Sequence, residues 1–112
     1  MDRLTRGDLV VVVLTGDYGK PRPALVVQAD LFNDAHASVT VVPVTSTLVD
    51  APLFRLTIAP SPGNGLQSLS QIMIDKVTTV ARTRIGPTIG HVEADLLIQV
   101  NRALALWVGI AV

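Results

Sequence analysis

Arg22 stands between two prolines in the stretch KPRPALVV, residues 20–27, directly ahead of a run of apolar and β-branched residues. Pro21 carries a fixed φ, and Pro23 pushes the residue before it toward extended geometry, so local sterics set how Arg22 leaves the backbone. A guanidinium held this way never loses its charge and presents two parallel donors to a phosphate. An arginine here can equally cap a sheet edge or pair with an aspartate, and the residues alone leave the two uses level.

Two further positions have the right chemistry. The stretch VVPVTSTL, residues 41–48, places Thr45, Ser46 and Thr47 where a strand gives way to a loop. Hydroxyls there either satisfy the turn or donate to a phosphate oxygen. Asp75 is a lone carboxylate between Ile-Met-Ile and Lys-Val-Thr-Thr. It is either a turn residue or a carboxylate that orients a base or an arginine.

Other chemistries find little purchase. His36 and His91 are the only histidines, and no carboxylate pair accompanies either at a metal-ligand spacing, so no metal or other cofactor is expected. The absence of cysteine excludes a thiol nucleophile, a thiolate metal site and a disulfide framework. No glycine-rich phosphate loop follows a strand and opens a helix.

The elements that must position these residues follow from periodicity. Strands are expected at Asp8 to Leu14, Pro23 to Gln28, Ser38 to Val44, Leu53 to Ala59, Leu69 to Ile74 and Val77 to Val80, with Pro43 marking an edge or bulge. TGDYGKP, residues 15–21, reads as a loop, ADLFNDAHA as a loop or one helical turn, and PSPGNG, residues 60–65, as the strongest turn. Apolar residues then recur at spacings of three and four through residues 91–107, including Leu97, Val100, Leu104 and Trp107, which spells an amphipathic helix with Gly109 as its stop. The fold class is mainly β with α: a small, curved antiparallel β-barrel of SH3-like type with a C-terminal amphipathic helix. Residues 1–112 form a single domain.

Composition bounds the function. Apolar residues make up 49% of the chain and charged ones only 16%, so a second copy of the chain is the simplest cover for apolar surface. Nine basic and nine acidic residues cancel, and a nucleic-acid binder would need a local basic patch. Such asymmetry exists: residues 76–84 carry Lys76, Arg82 and Arg84 with no acid, whereas residues 23–54 carry three aspartates and no Lys or Arg. No apolar run is long enough to span a membrane and MDRLTRGD lacks a signal-peptide core, so a cytoplasmic protein is expected.

RGDLVVV at 6–12, RPALVVQ at 22–28, VVPVTS at 41–46, NGL at 64–66 and DKVTTV at 75–80 resemble, in order and spacing, the blocks of the MazF/PemK/Kid toxins of bacterial toxin–antitoxin systems. The resemblance implies a homodimeric, metal-independent, sequence-specific endoribonuclease that cuts single-stranded mRNA at short sequences through 2′-hydroxyl attack and is blocked by a cognate antitoxin. It places the catalytic residues at Arg22, Thr45 and Asp75. Lys20, Ser46, Lys76, Arg82 and Arg84 become candidate RNA contacts, and Tyr18, in the loop before Arg22, a residue that stacks on a base. Met73 stands where some members carry an arginine two residues before the aspartate. The ending NRALALWVGI, residues 101–110, also resembles the terminal helix of CcdB, a relative of the same fold that poisons DNA gyrase, and an inactive antitoxin-binding module is the third alternative.

Overall fold

The computed structural model describes residues 3–16 and 19–112. Its strands are β1 (Asp8–Val13), β2 (Pro21–Val26), β3 (Ser38–Thr45), β4 (Arg55–Ile58), β5 (Ser70–Met73), β6 (Thr78–Ala81) and β7 (Ile85–His91). A single helical turn, α1 (Asp30–Asn33), follows β2, and α2 (Ala94–Trp107) closes the chain.

All strand pairs are antiparallel, and the path through the sheet runs β4-β5-β3-β2-β1-β7, with β6 also on β3. β3 organises this curvature. Its first half, Ser38 to Val41, pairs with β6, while Val44 and Thr45 pair with β5. A 3-10 turn at Ile74–Lys76 sits between β5 and β6 and carries the chain from one half of β3 to the other. The sheet is the small curved antiparallel one expected, and since β4 and β7 stand at opposite ends of its path the barrel is not closed.

Alternation along the β-branched runs sends side chains to two cores. Leu9, Leu25, Val42, Val44 and Ile72 pack with Val100 and Ala103 of α2 on one face. Val10, Val12, Ala24, Val26, Val39, Val41 and Val80 form the second cluster, with Leu4, Leu14 and Ile85 packed against it. Arg6 fastens the helix to the sheet, donating from Nε to the Val27 carbonyl at 2.8 Å and from Nη2 to Asn101 Oδ1 at 2.6 Å.

α2 ends in a Schellman motif: Gly109, at φ +82°, donates to the Leu106 carbonyl and Ile110 to that of Ala105. Trp107 packs against Phe54 with ring centroids 5.7 Å apart. The helix is shorter at its start than its periodicity suggests, because β7 extends through His91 and Glu93 is the N-cap. β7 itself was not expected. Among the described residues no helix is long and apolar enough to cross a membrane.

Candidate active site

β2 starts at Pro21 rather than Pro23, so Arg22 lies inside the strand, paired with Val12 of β1. On the other side the ladder to β3 runs Val26↔Val41, Leu25↔Val42, Ala24↔Pro43 and stops. The reason is chemical: Pro21, Pro23 and Pro43 have no N–H, so this end of the ladder lacks donors. Continued past its last pair, the same register brings Arg22 opposite Thr45, the final residue of β3. The strand ends part around a cavity of about 530 Å³ lined by both residues.

Thr45 is half-buried, and its Oγ1 accepts the Thr47 N–H at 3.1 Å. That bond uses one lone pair and leaves the hydroxyl hydrogen to be donated. Satisfying the turn and donating to a phosphate are therefore compatible. Ser46 is exposed on the same cavity.

Arg22 is half-buried and also lines a second cavity, of about 710 Å³, whose walls include Lys76, Arg84, Thr78 and Met73. Three cations thus meet around one concavity, with no carboxylate among its described lining residues. The chain's zero net charge conceals a positive trough.

Asp75, expected among the catalytic residues, is bound elsewhere. Its carboxylate accepts from Arg55 Nε at 2.8 Å and Nη2 at 3.2 Å, and it lines neither cavity that holds Arg22. The hydrogen bonds from Arg55 hold its carboxyl below the ordinary carboxylate value, against partial burial that pushes it up. The two side chains are only 13% and 16% exposed, so the fork is a sheltered, bidentate pair. Arg55 sits on β4 opposite Met73. The guanidinium that reaches Asp75 therefore comes from across the ladder and not from two residues earlier.

The remaining candidates divide. Lys76 and Arg84 are exposed on the larger cavity. Arg82 instead donates from Nε to the His36 carbonyl at 2.9 Å and from Nη2 to the Asn33 carbonyl, clamping the end of α1, and it lines neither cavity. Lys20 is exposed just before β2 and lines neither cavity. Tyr18 lies outside the described residues.

Two features were missed in the sequence. Arg55 looked like an ordinary strand residue, and its partner is 20 positions away. The far wall of the smaller cavity, Gly65 to Ser68 with Ser70, was visible only as a turn and the NGL block at its end, with no site role attached to either. Asn64 braces that wall: its Oδ1 accepts from the N–H groups of Ser61 and Leu66, both at 3.0 Å, and its Nδ2 donates to the Ala59 carbonyl at 2.9 Å.

Residues 5–108 match the family model described as PemK-like, MazF-like toxin of type II toxin–antitoxin system. The chain is 47% identical over 109 residues to the probable endoribonuclease MazF of Mycolicibacterium smegmatis, covering 96% of this chain and 99% of that protein. Among solved structures it superposes on MazF from Deinococcus radiodurans with a TM-score of 0.80 at 25% identity, covering 97% and 99% of the two chains. It is also similar, at TM-score 0.76 and 23% identity over 97% and 96% of the chains, to an endoribonuclease from a mycobacterial species in complex with its cognate antitoxin.

Proposed function

The chain belongs to the PemK-like, MazF-like toxin family of type II toxin–antitoxin systems, and we propose that it cuts single-stranded RNA at the slot between Arg22 and Thr45. What supports this reading is that Arg22 and Thr45 line one cavity where the β2–β3 ladder has ended.

In the reaction the 2′-oxygen of one nucleotide forms a bond to the phosphorus that follows it, and the bond from phosphorus to the next 5′-oxygen breaks. The attacking hydroxyl loses its proton and the leaving oxygen gains one, so the ends are a 2′,3′-cyclic phosphate and a 5′-hydroxyl. Negative charge grows on the non-bridging oxygens of the pentacoordinate phosphorus. Arg22 and the Thr45 hydroxyl stabilise that charge more than the ground state, and donors already in place need no reorganisation. Arg22 acts electrostatically, since an arginine guanidinium stays charged throughout and is a poor proton donor. The positive charge comes from the protein, and no metal is required.

Lys76 and Arg84 hold flanking phosphates in the larger trough. Asp75 works as a positioning residue: through Arg55 it ties the Ile74–Lys76 turn to β4 and so fixes where Lys76 emerges. A cognate antitoxin silences the toxin by covering the cavities. Two copies associate through apolar side chains such as Leu53, Trp107 and Ile110, which are 74%, 49% and 82% exposed.

The test is to incubate purified protein with a long RNA in EDTA and to analyse the fragment ends. Fragments carrying cyclic phosphate and 5′-hydroxyl are expected; intact RNA, or fragments with 3′-hydroxyl ends, would contradict the reaction.

A further inference from the structure

The two cavities that share Arg22 differ in charge. The larger carries Lys76 and Arg84, whereas the described polar residues around the smaller one, Arg22 apart, are all neutral. Phosphates take their affinity from cations, but bases are told apart by neutral donors and acceptors at their edges. Resting on the proposed ribonuclease reading, we propose that the smaller cavity seats the base beside the scissile phosphate and that Gln67 reads its edge.

The wall that carries Gln67 is rigid. Leu66 is buried, and the Asn64 side chain stitches Ala59, Ser61 and Leu66 together. Gly65, at φ +70°, lets the loop lie against β7 so closely that a Cβ there would stand 2.2 Å from the Ile89 carbonyl oxygen. The cavity's volume of about 530 Å³ falls within the range of small-molecule pockets. Preorganisation matters for readout, because an edge-on hydrogen bond discriminates only where its donor cannot follow the wrong base.

Two neighbouring polar side chains, Ser70 and Gln71, are spoken for. Ser70 Oγ donates to the Ser68 carbonyl at 2.9 Å. Gln71 is spent on the Val49 backbone, accepting from its N–H at 3.0 Å and donating to its carbonyl at 2.9 Å, which holds the loop after Thr47. Gln67 is exposed, and its carboxamide takes no part in these braces. A carboxamide sets one donor beside one acceptor, the pairing that an unstacked base offers along its Watson–Crick or Hoogsteen edge. A glutamate at the same place has only acceptors, and it fits the two adjacent donors of guanine.

The experiment sequences the cleavage ends generated from a randomised RNA by the wild type, Q67A and Q67E. The quantity read is the ratio of cuts at sites that differ in one base, so an overall change in rate does not enter. Q67A should flatten the preference at one nucleotide next to the cut by roughly tenfold, and Q67E should move that preference toward guanine. A wild type that leaves RNA whole overturns the proposed function itself. A wild type that cuts with the same profile as both variants overturns only the role of Gln67.

Discussion

The Asp75 carboxylate accepts from both Nε and Nη2 of Arg55, at 2.8 and 3.2 Å, so one fork joins the Ile74–Lys76 turn to the first residue of β4. The pair lines neither cavity that holds Arg22, and under the proposed function its effect reaches the site through Lys76.

Asp75→Asn should therefore destabilise the fold by about 2 kcal/mol, because it strips a partly buried guanidinium of its charged partner. Thermal or urea unfolding checks this. RNA cutting should fall through a raised KM, with kcat nearly kept; a kcat loss of a hundredfold or more with KM unchanged would put the carboxylate in the reaction itself.

The pair also has a pH signature. Arg55 lowers the folded-state pKa of Asp75 below its ordinary value of 3.8, so the stabilisation is complete above that value and disappears as the pH falls through the folded pKa. The stability gap between wild type and Asp75→Asn should be constant from neutral pH down to about 5 and close below about 3.8. A gap that widens on acidification would have the sign wrong.

Lys76→Ala and Arg84→Ala should weaken RNA binding at every sequence alike. Each should reduce the slope of log K against log salt by about one, as the loss of a single phosphate contact does. Binding titrations at several salt concentrations measure this, and Arg82→Ala is the contrast: its bonds to the Asn33 and His36 carbonyls predict lost stability with an unchanged slope.

Gly65→Ala should be severe although it adds one methyl group. The positive φ and the 2.2 Å approach to Ile89 force the loop off β7. We expect a loss of about 2 kcal/mol or more, read by unfolding, together with loss of the cavity's far wall.

How much of this was legible beforehand depends on how local each cause is. β1, β2 and β3 could be read because valine and leucine runs bounded by turn residues have few other uses, and α2 because its apolar stripe keeps helical spacing. β7 could not, since RIGPTIGH looks like a loop. Its glycines answer neighbours distant in the chain: a Cβ at Gly86 would meet the Val11 carbonyl oxygen at 3.0 Å, and one at Gly90 would meet the Gly63 carbonyl oxygen at 2.5 Å.

The same division runs through the site. The prolines around Arg22 announce a fixed cation, but its place opposite Thr45 needs the β2–β3 register, which no local pattern contains. Asp75 stood out as a lone carboxylate, while Arg55, the residue that explains it, is visible only once β4 pairs with β5. Arg82 and Arg84 look alike in sequence. One folds inward onto carbonyls and the other lines the trough.

The central claim is that a preorganised planar guanidinium at position 22 stabilises the transition state. The most direct measurement is single-turnover cleavage of one RNA substrate in EDTA by wild type, Arg22→Ala and Arg22→Lys, each shown to be folded by its unfolding transition. The account predicts a loss of at least about a hundredfold for Arg22→Ala, and little recovery in Arg22→Lys, which keeps the charge but not the fork. Cleavage by a folded Arg22→Ala protein within a few-fold of wild type would contradict it.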